Sequence, residues 1–92
     1  MRIATHPGEI LREEFLIPLG LSARRLAAEI KTPQNRLSDL IRGRRGMTAD
    51  TAIRLARRFG TTPQFWMNLQ ANHDLSIAES KNDYSSISPR AA

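Results

Sequence analysis

Apolar residues recur along this chain at spacings of three and four, separated by short stretches of Pro, Gly and hydroxyl side chains. That period predicts helices buried along one stripe, with breaks where the punctuation falls. The sharpest pattern lies in residues 22–43. Ser22 suits an N-cap, and Leu26 and Ile30 form a buried i,i+4 pair with small Ala27 beside them. A second short helix follows a tight turn. Thr32 is expected to cap it, Pro33 to take its first position, and Leu37, Leu40 and Ile41 to form its buried stripe, with Gly43 as the stop. This leaves Gln34, Asn35, Arg36 and Ser38 off the stripe, near the start of the second helix.

Other helices are predicted on either side. Towards the N-terminus, Ile3 is a candidate anchor for an arm, and His6 as N-cap with Pro7 and Glu9 in the first turn opens a helix to about Ile17. Its inward positions are Ile10, Leu11, Phe15 and Leu16, and Pro18 and Gly20 end it. Downstream, Thr48 caps a helix with Ala52, Ile53, Leu55, Ala56 and Phe59 inward and Gly60 as C-cap. A second cap of the same design, Thr62-Pro63, opens a helix to about Gln70 or Asn72, and residues 74–79 add a further turn or two. Within that helix Phe65 and Leu69 share a face and are expected in the core. Trp66, about 100 degrees away, falls at the border, so Trp66 and Met67 are the candidates for a dimer or partner interface. The expected architecture is all-α: five helices in one bundle-like domain over residues 1–79, with a polar, breaker-rich tail over 80–92.

Composition narrows the function. The 92 residues contain no Cys, which excludes disulfides and thiolate metal sites. The first ten residues lack the apolar run of a signal peptide and nothing approaches a membrane span, so a soluble, cytoplasmic protein without a membrane partner is expected. Charge is unevenly placed. Residues 22–60 carry ten basic side chains against three acidic ones, a local balance of +7 in a chain of net +5. Such a field suits a phosphate backbone, and the preference for Arg over Lys, twelve to two, suits planar phosphate and guanine contacts. Arg44, Arg45 and Gly46 form a loop able to follow one DNA strand. The crowding of Arg57 and Arg58 in a last helical turn is read instead as favouring the helix dipole.

Chemistry is sparsely represented. His6 and His73 have no neighbouring ligands at metal-site spacing, and Glu9 with Glu13 reads as a solvated helix face. There is no Gly-rich phosphate loop or nucleophile elbow, so neither an enzyme, a cofactor, a metal nor a small-molecule substrate is expected.

The segment around residues 22–43 resembles the helix-turn-helix of phage-repressor and Cro-like proteins, with Ser22, Leu26, Ala27, Leu37, Leu40 and Gly43 matching the motif. It departs at Ala23, where that family often carries Gln, and at Lys31, where Gly usually makes the turn. A left-handed Lys31 costs roughly 1 kcal/mol relative to Gly, and its charge would lie near the DNA backbone. The flanks extend the likeness. HPGEILREEFLIPLGLS and GRRGMTADTAIRLARRFGTTPQFWMNLQ, with the segment between them, are similar to HigA-type antitoxins, also called the VapI-like group, over about residues 3–78, and FGTTPQFWMNLQ is the most specific part of the likeness. The resemblance implies a DNA-binding homodimer that represses its own operon from palindromic double-stranded operator DNA. It also implies that the dimer neutralises a HigB-like toxin, a ribosome-dependent mRNA-cleaving ribonuclease.

By the same resemblance Gln34, Asn35, Arg36 and Ser38 are base-reading positions, and Ser22, Arg42 and Arg44 contact the DNA backbone, with Lys31 and Arg45 beside them. Two alternatives share the fold: a stand-alone transcriptional regulator without a toxin, and an adaptor that has lost DNA binding. The Arg-rich field around the second helix argues against the adaptor.

Overall fold

A computed structural model describes residues 2–91, in which five helical runs pack around one core. The first, α1, spans residues 7–19 in three continuous pieces: Pro7–Ile10, a π-helical stretch Leu11–Leu16, and Ile17–Leu19. The helices α2, Ala23–Ile30, and α3, Gln34–Ile41, follow; α4 is Ala49–Phe59 and α5 is Pro63–Lys81. Residues 82–91 lie outside any helix. Among the described residues no helix is long and apolar enough to cross a membrane.

Local chemistry accounts for most ends. The His6 ring caps α1 by accepting the Gly8 N–H at 2.9 Å, and Thr48 and Thr62 cap α4 and α5 through Thr51 and Phe65. The widened turn in α1 comes immediately before Pro18, with the Ile17 N–H reaching back five residues to the Arg12 carbonyl. A regular ladder would press the proline ring against the carbonyl four residues earlier; the wider stretch relieves that clash. The run therefore continues past the expected end at Ile17, and left-handed Gly20 closes it.

Thr32 does not cap α3. Lys31 takes the left-handed conformation, φ 57° and ψ 47°, and closes α2 with paired bonds from Lys31 N to Ala28 O and from Thr32 N to Ala27 O. Thr32 is thus committed to ending α2, and its side chain is buried. Pro33 becomes the N-cap residue of α3 and supplies no side-chain cap bond.

The core contains Leu11, Leu26, Leu37, Leu40, Leu55 and Trp66, all essentially sealed from solvent. Trp66, expected at the border, is 0% exposed, whereas Phe65, expected inside, is 38% exposed. Leu69 packs only partly buried against the core. The reason lies in how α5 is docked. The indole Nε1–H donates to Thr61 Oγ1 at 2.8 Å, and Phe15 lies between Phe59 and Trp66 at 4.8 and 5.2 Å between ring centroids. A buried Trp66 cannot serve as an exposed interface residue in this fold, which corrects that expectation; Met67 is exposed. Ile53 is also turned outward, at 47% exposure, whereas Thr51, about 200 degrees around the same helix, is buried.

Helix α5 is one 19-residue element, longer than its pattern suggested, because its second half is occupied in holding the N-terminal arm. The Ala4 N–H donates to Ser76 Oγ at 2.9 Å, and His73 Nδ1 lies 2.7 Å from the Ala4 carbonyl. These backbone bonds anchor the arm, and Ile3 remains exposed. The start of α1 then rests on the end of α3. At Gly8 a Cβ would come within 1.8 Å of the Leu40 carbonyl, so only glycine allows that approach.

Candidate nucleic-acid interface

The buried stripe of α3 decides which side chains it can present. With Leu37 and Leu40 sealed in the core, Gln34, Asn35 and Arg36 are exposed and Ser38 is half-buried. Gln34, Asn35 and Ser38 come together with Asp39 and Arg42 around a surface concavity of about 430 Å³. Arg36 is not part of this group. It faces a smaller cavity of about 220 Å³ that it shares with Arg45, Thr48 and Thr51, between α3 and the start of α4. The expected reading set is therefore divided into three side chains on one concave face and an arginine around the helix from them.

The chemistry of the concave face matches base edges. Amides such as Gln34 and Asn35 offer a donor and an acceptor together, the pair that adenine presents in a major groove. Ser38 can take either role. Asp39, absent from the sequence expectation, sits four residues after Asn35 and so one turn along the same face. Its carboxylate forms no ion pair among the described residues. A carboxylate accepts from the cytosine amino group and repels phosphate, so this position favours a base over a backbone contact. The i,i+4 spacing from Asn35 was the available signal.

The expected backbone-contacting residues surround this face. Ser22, Lys31, Arg42, Arg44 and Arg45 are all exposed. Ser22 Oγ accepts the Arg25 N–H at 3.1 Å, which leaves its hydroxyl proton free to donate. The loop after α3 begins with Gly43 N–H on the Leu40 carbonyl and Arg44 N–H on the Asp39 carbonyl, and Gly43 has φ of 74°. Arg44 and Arg45 follow, both exposed and without ion-pair partners among the described residues.

Other basic side chains are committed internally. Arg58 Nε donates to Glu29 Oε1 at 2.8 Å, and Arg25 approaches the other oxygen at 3.4 Å. The Arg58 hydrogen bond chiefly, with the charges of both arginines, holds the Glu29 carboxyl below its usual value. Arg54 binds Asp50 at 2.9 Å and donates to the Ile30 and Lys31 carbonyls at 2.9 and 3.3 Å. It thereby ties α4 to the turn that precedes α3. The assignment of Arg57 and Arg58 to the helix dipole omitted this cross-helix pairing of Arg58.

Behind the loop lies a small polar cluster. The rings of His6 and His73 meet edge to face at 4.9 Å. Burial, followed by repulsion from His73, lowers the His6 pKa from its ordinary 6.5. Gln70 Oε1 accepts the Met47 N–H, and its Nε2 donates to Asp74 at 2.8 Å. Among the described residues no group of three or more His, Asp or Glu side chains is placed to hold a metal ion.

Known proteins share this fold. Residues 11–66 match the family model described as Helix-turn-helix. Virulence-associated protein I of Dichelobacter nodosus is 53% identical over 76 residues, covering 83% of this chain and 70% of that protein. PA4674 of Pseudomonas aeruginosa, solved in complex with its 18 bp operator DNA, superposes with a TM-score of 0.92 at 44% identity, over 98% of this chain and 99% of that one. The Pseudomonas aeruginosa antitoxin HigA, solved with the higBA promoter, gives a TM-score of 0.88 at 44% identity, over 94% and 97% of the two chains.

Proposed function

This chain belongs to the HigA/VapI family of helix-turn-helix antitoxins, and from that premise we propose that it is an antitoxin that represses its own operon. A homodimer binds palindromic double-stranded operator DNA, and the protein it neutralises is a HigB-like, mRNA-cleaving toxin. The observation that carries the DNA reading is the concave face of Gln34, Asn35 and Ser38 on α3, bordered by Arg42 and the free arginines of the following loop. In this reading Gln34, Asn35 and Ser38 contact base edges, and Arg36 works beside Arg45 at the edge of the groove. Ser22, Lys31, Arg42, Arg44 and Arg45 hold phosphates. A symmetric dimer places two such helices in successive major grooves, with half-sites about 34 Å apart.

The partner-binding side is supported by α5. Its apolar side chains lie all around the helix, and those not packed on the body, Phe65, Met67 and Leu75, are exposed in the single chain. Exposed apolar surface on a helix already docked along another side favours a further protein contact, so Met67 keeps its assignment to the dimer or toxin interface.

Co-expression with the adjacent gene product, purification, and titration of the promoter upstream test the whole reading. The expected result is a stable complex with a small basic ribonuclease whose mRNA cleavage is suppressed, and salt-sensitive binding to a palindrome in that promoter. Operator binding without any toxin complex would leave a stand-alone regulator. Failure to bind promoter DNA more tightly than random duplex would overturn the repressor assignment.

A further inference from the structure

The stretch FGTTPQFWMNLQ contributes nothing directly to the face that meets DNA, yet its last residue touches the loop that does. Gln70 lies half-buried on the inward side of α5, one turn after Trp66. Its Oε1 accepts the Met47 N–H at 2.6 Å. The end of its side chain fills the space above Gly46, where a Cβ would stand 3.2 to 3.4 Å from the amide atoms. Its Nε2 donates to Asp74 Oδ1 at 2.8 Å, which fixes the amide with its oxygen towards the loop. The loop is thus tied at both ends: by α3 carbonyls at Gly43 and Arg44, and by Gln70 at Met47. Arg44 stands at the first of these ties and Arg45 between them, and both side chains are exposed and without ion-pair partners among the described residues.

We propose that Gln70 is a positioning residue for DNA binding: without touching DNA, it holds the loop that aims Arg44 and Arg45 at the phosphates. The proposal rests on the DNA-binding reading above. Two long, exposed guanidinium groups contribute little to a defined contact unless their backbone is fixed, because each must otherwise lose its freedom on binding. The Met47 side chain, buried in the core, sets the height of the loop's exit, and the Gln70 bond sets its rotation. Asp74 acts one step further back, by choosing which end of the Gln70 amide faces Met47.

Two variants separate this role from general support. Gln70→Met keeps a long, flexible side chain of similar volume and removes the acceptor. The double variant Gln70→Glu with Asp74→Asn restores an acceptor for Met47 and a donor behind it, with net charge unchanged. Each is titrated with operator and with random duplex across a salt series, below its melting temperature, and Met47 amide exchange is followed in the free proteins.

Gln70→Met is expected to lose about tenfold in affinity for both duplexes alike. Its salt slope should fall by about one to two units per chain, and Met47 protection should be lost. The double variant should bind within about twofold of the parent, with its slope and Met47 protection restored. A Gln70→Met chain that binds with the parental slope overturns the proposal, as does a double variant that stays as weak as Gln70→Met. A parent chain that binds no operator refutes the DNA-binding reading instead, and Met47 exchange still reports whether Gln70 holds the loop.

Discussion

Replacing Trp66 with alanine tests how the molecule is built. The indole is 0% exposed, contacts Phe15 and Phe65 at 5.2 and 5.0 Å between centroids, and donates its N–H to Thr61 at 2.8 Å. Truncating a buried Trp costs about 3–5 kcal/mol from lost transfer energy and the cavity left behind. Loss of the bond to Thr61 adds about 1 kcal/mol. A domain of this length has a total stability of about 5–14 kcal/mol, so the variant is expected to be marginal or unfolded at room temperature. Leu69 is only partly buried, and Leu69→Ala should cost about 1–2 kcal/mol, well below a fully buried leucine. Trp66→Phe, which keeps a ring and loses the donor, should fall between them. Urea titrations followed by circular dichroism at fixed protomer concentration measure all three without relying on Trp66, the single tryptophan, as a probe. If Trp66→Ala proves more stable than Leu69→Ala, the indole does not anchor α5 and the docking described here is wrong.

Gln34→Ala is expected to relax specificity at one position of each half-site, at about 1–3 kcal/mol per lost bidentate contact; titration against point-mutated operators checks it, and unchanged discrimination at every base removes Gln34 from the reading set. Arg44→Ala should weaken specific and random binding alike and reduce the salt slope by about one unit per chain. The His6 pKa is lowered, so its contribution to stability is fully present above 6.5 and is lost as pH falls from there through the folded-state value. Because the neutral ring accepts the Gly8 N–H, His6→Asn retains a cap without the titration, and its melting temperature should fall less than the parent's between pH 7.5 and 5; equal losses would place the pH sensitivity elsewhere.

What the sequence disclosed was local. A capping side chain marks the start of a helix through a bond to a near neighbour, and the caps at His6, Ser22, Thr48 and Thr62 form as written. The positions of Leu26, Leu37 and Leu55 were legible for a similar reason, since each lies on a helix with one clear apolar face. Helix α5 has no such face. Its pattern offers Phe65 with Leu69 or Trp66 with Gln70 as the inward side, and helical spacing cannot choose between them. The choice depends on Thr61 and Phe15, which meet the indole only in three dimensions. Thr32 shows the opposite case: a good capping residue was taken by the end of the preceding helix, because Lys31 had to turn left-handed. The reading side chains were visible as positions off the stripe. The separation of Arg36 from Gln34 was implicit in the spacing, since residues two apart on a helix point about 200 degrees apart; the cavity that Arg36 faces was not, because it depends on where α4 lies.

The ion pairs also decide how much of the chain's charge reaches DNA. Arg25, Arg54 and Arg58 face carboxylates at 3.4, 2.9 and 2.8 Å on the side formed by α2 and α4. Arg25 and Arg58 share the Glu29 carboxylate and Arg54 faces Asp50, so from a Debye length away, about 8–10 Å at moderate salt, these three arginines and two acids present one net positive charge in place of three. Lys31, Arg36, Arg42, Arg44 and Arg45 form no ion pair among the described residues, and all five lie on or beside α3. The internal pairs therefore weight the positive field towards the reading helix. If each of these five side chains takes one phosphate, the salt slope per protomer approaches about −4.5. A measured slope much steeper than this requires further cations: Arg24 and Arg57, which are exposed and form no ion pair among the described residues, or else Arg25, Arg54 or Arg58 leaving its carboxylate. For Arg54 that also means releasing the Ile30 and Lys31 carbonyls that hold the turn before α3. A slope that stays steep in an Arg24→Ala, Arg57→Ala chain would thus mean that the motif rearranges on DNA, whereas a slope at or below the bound fits a reading head formed before binding.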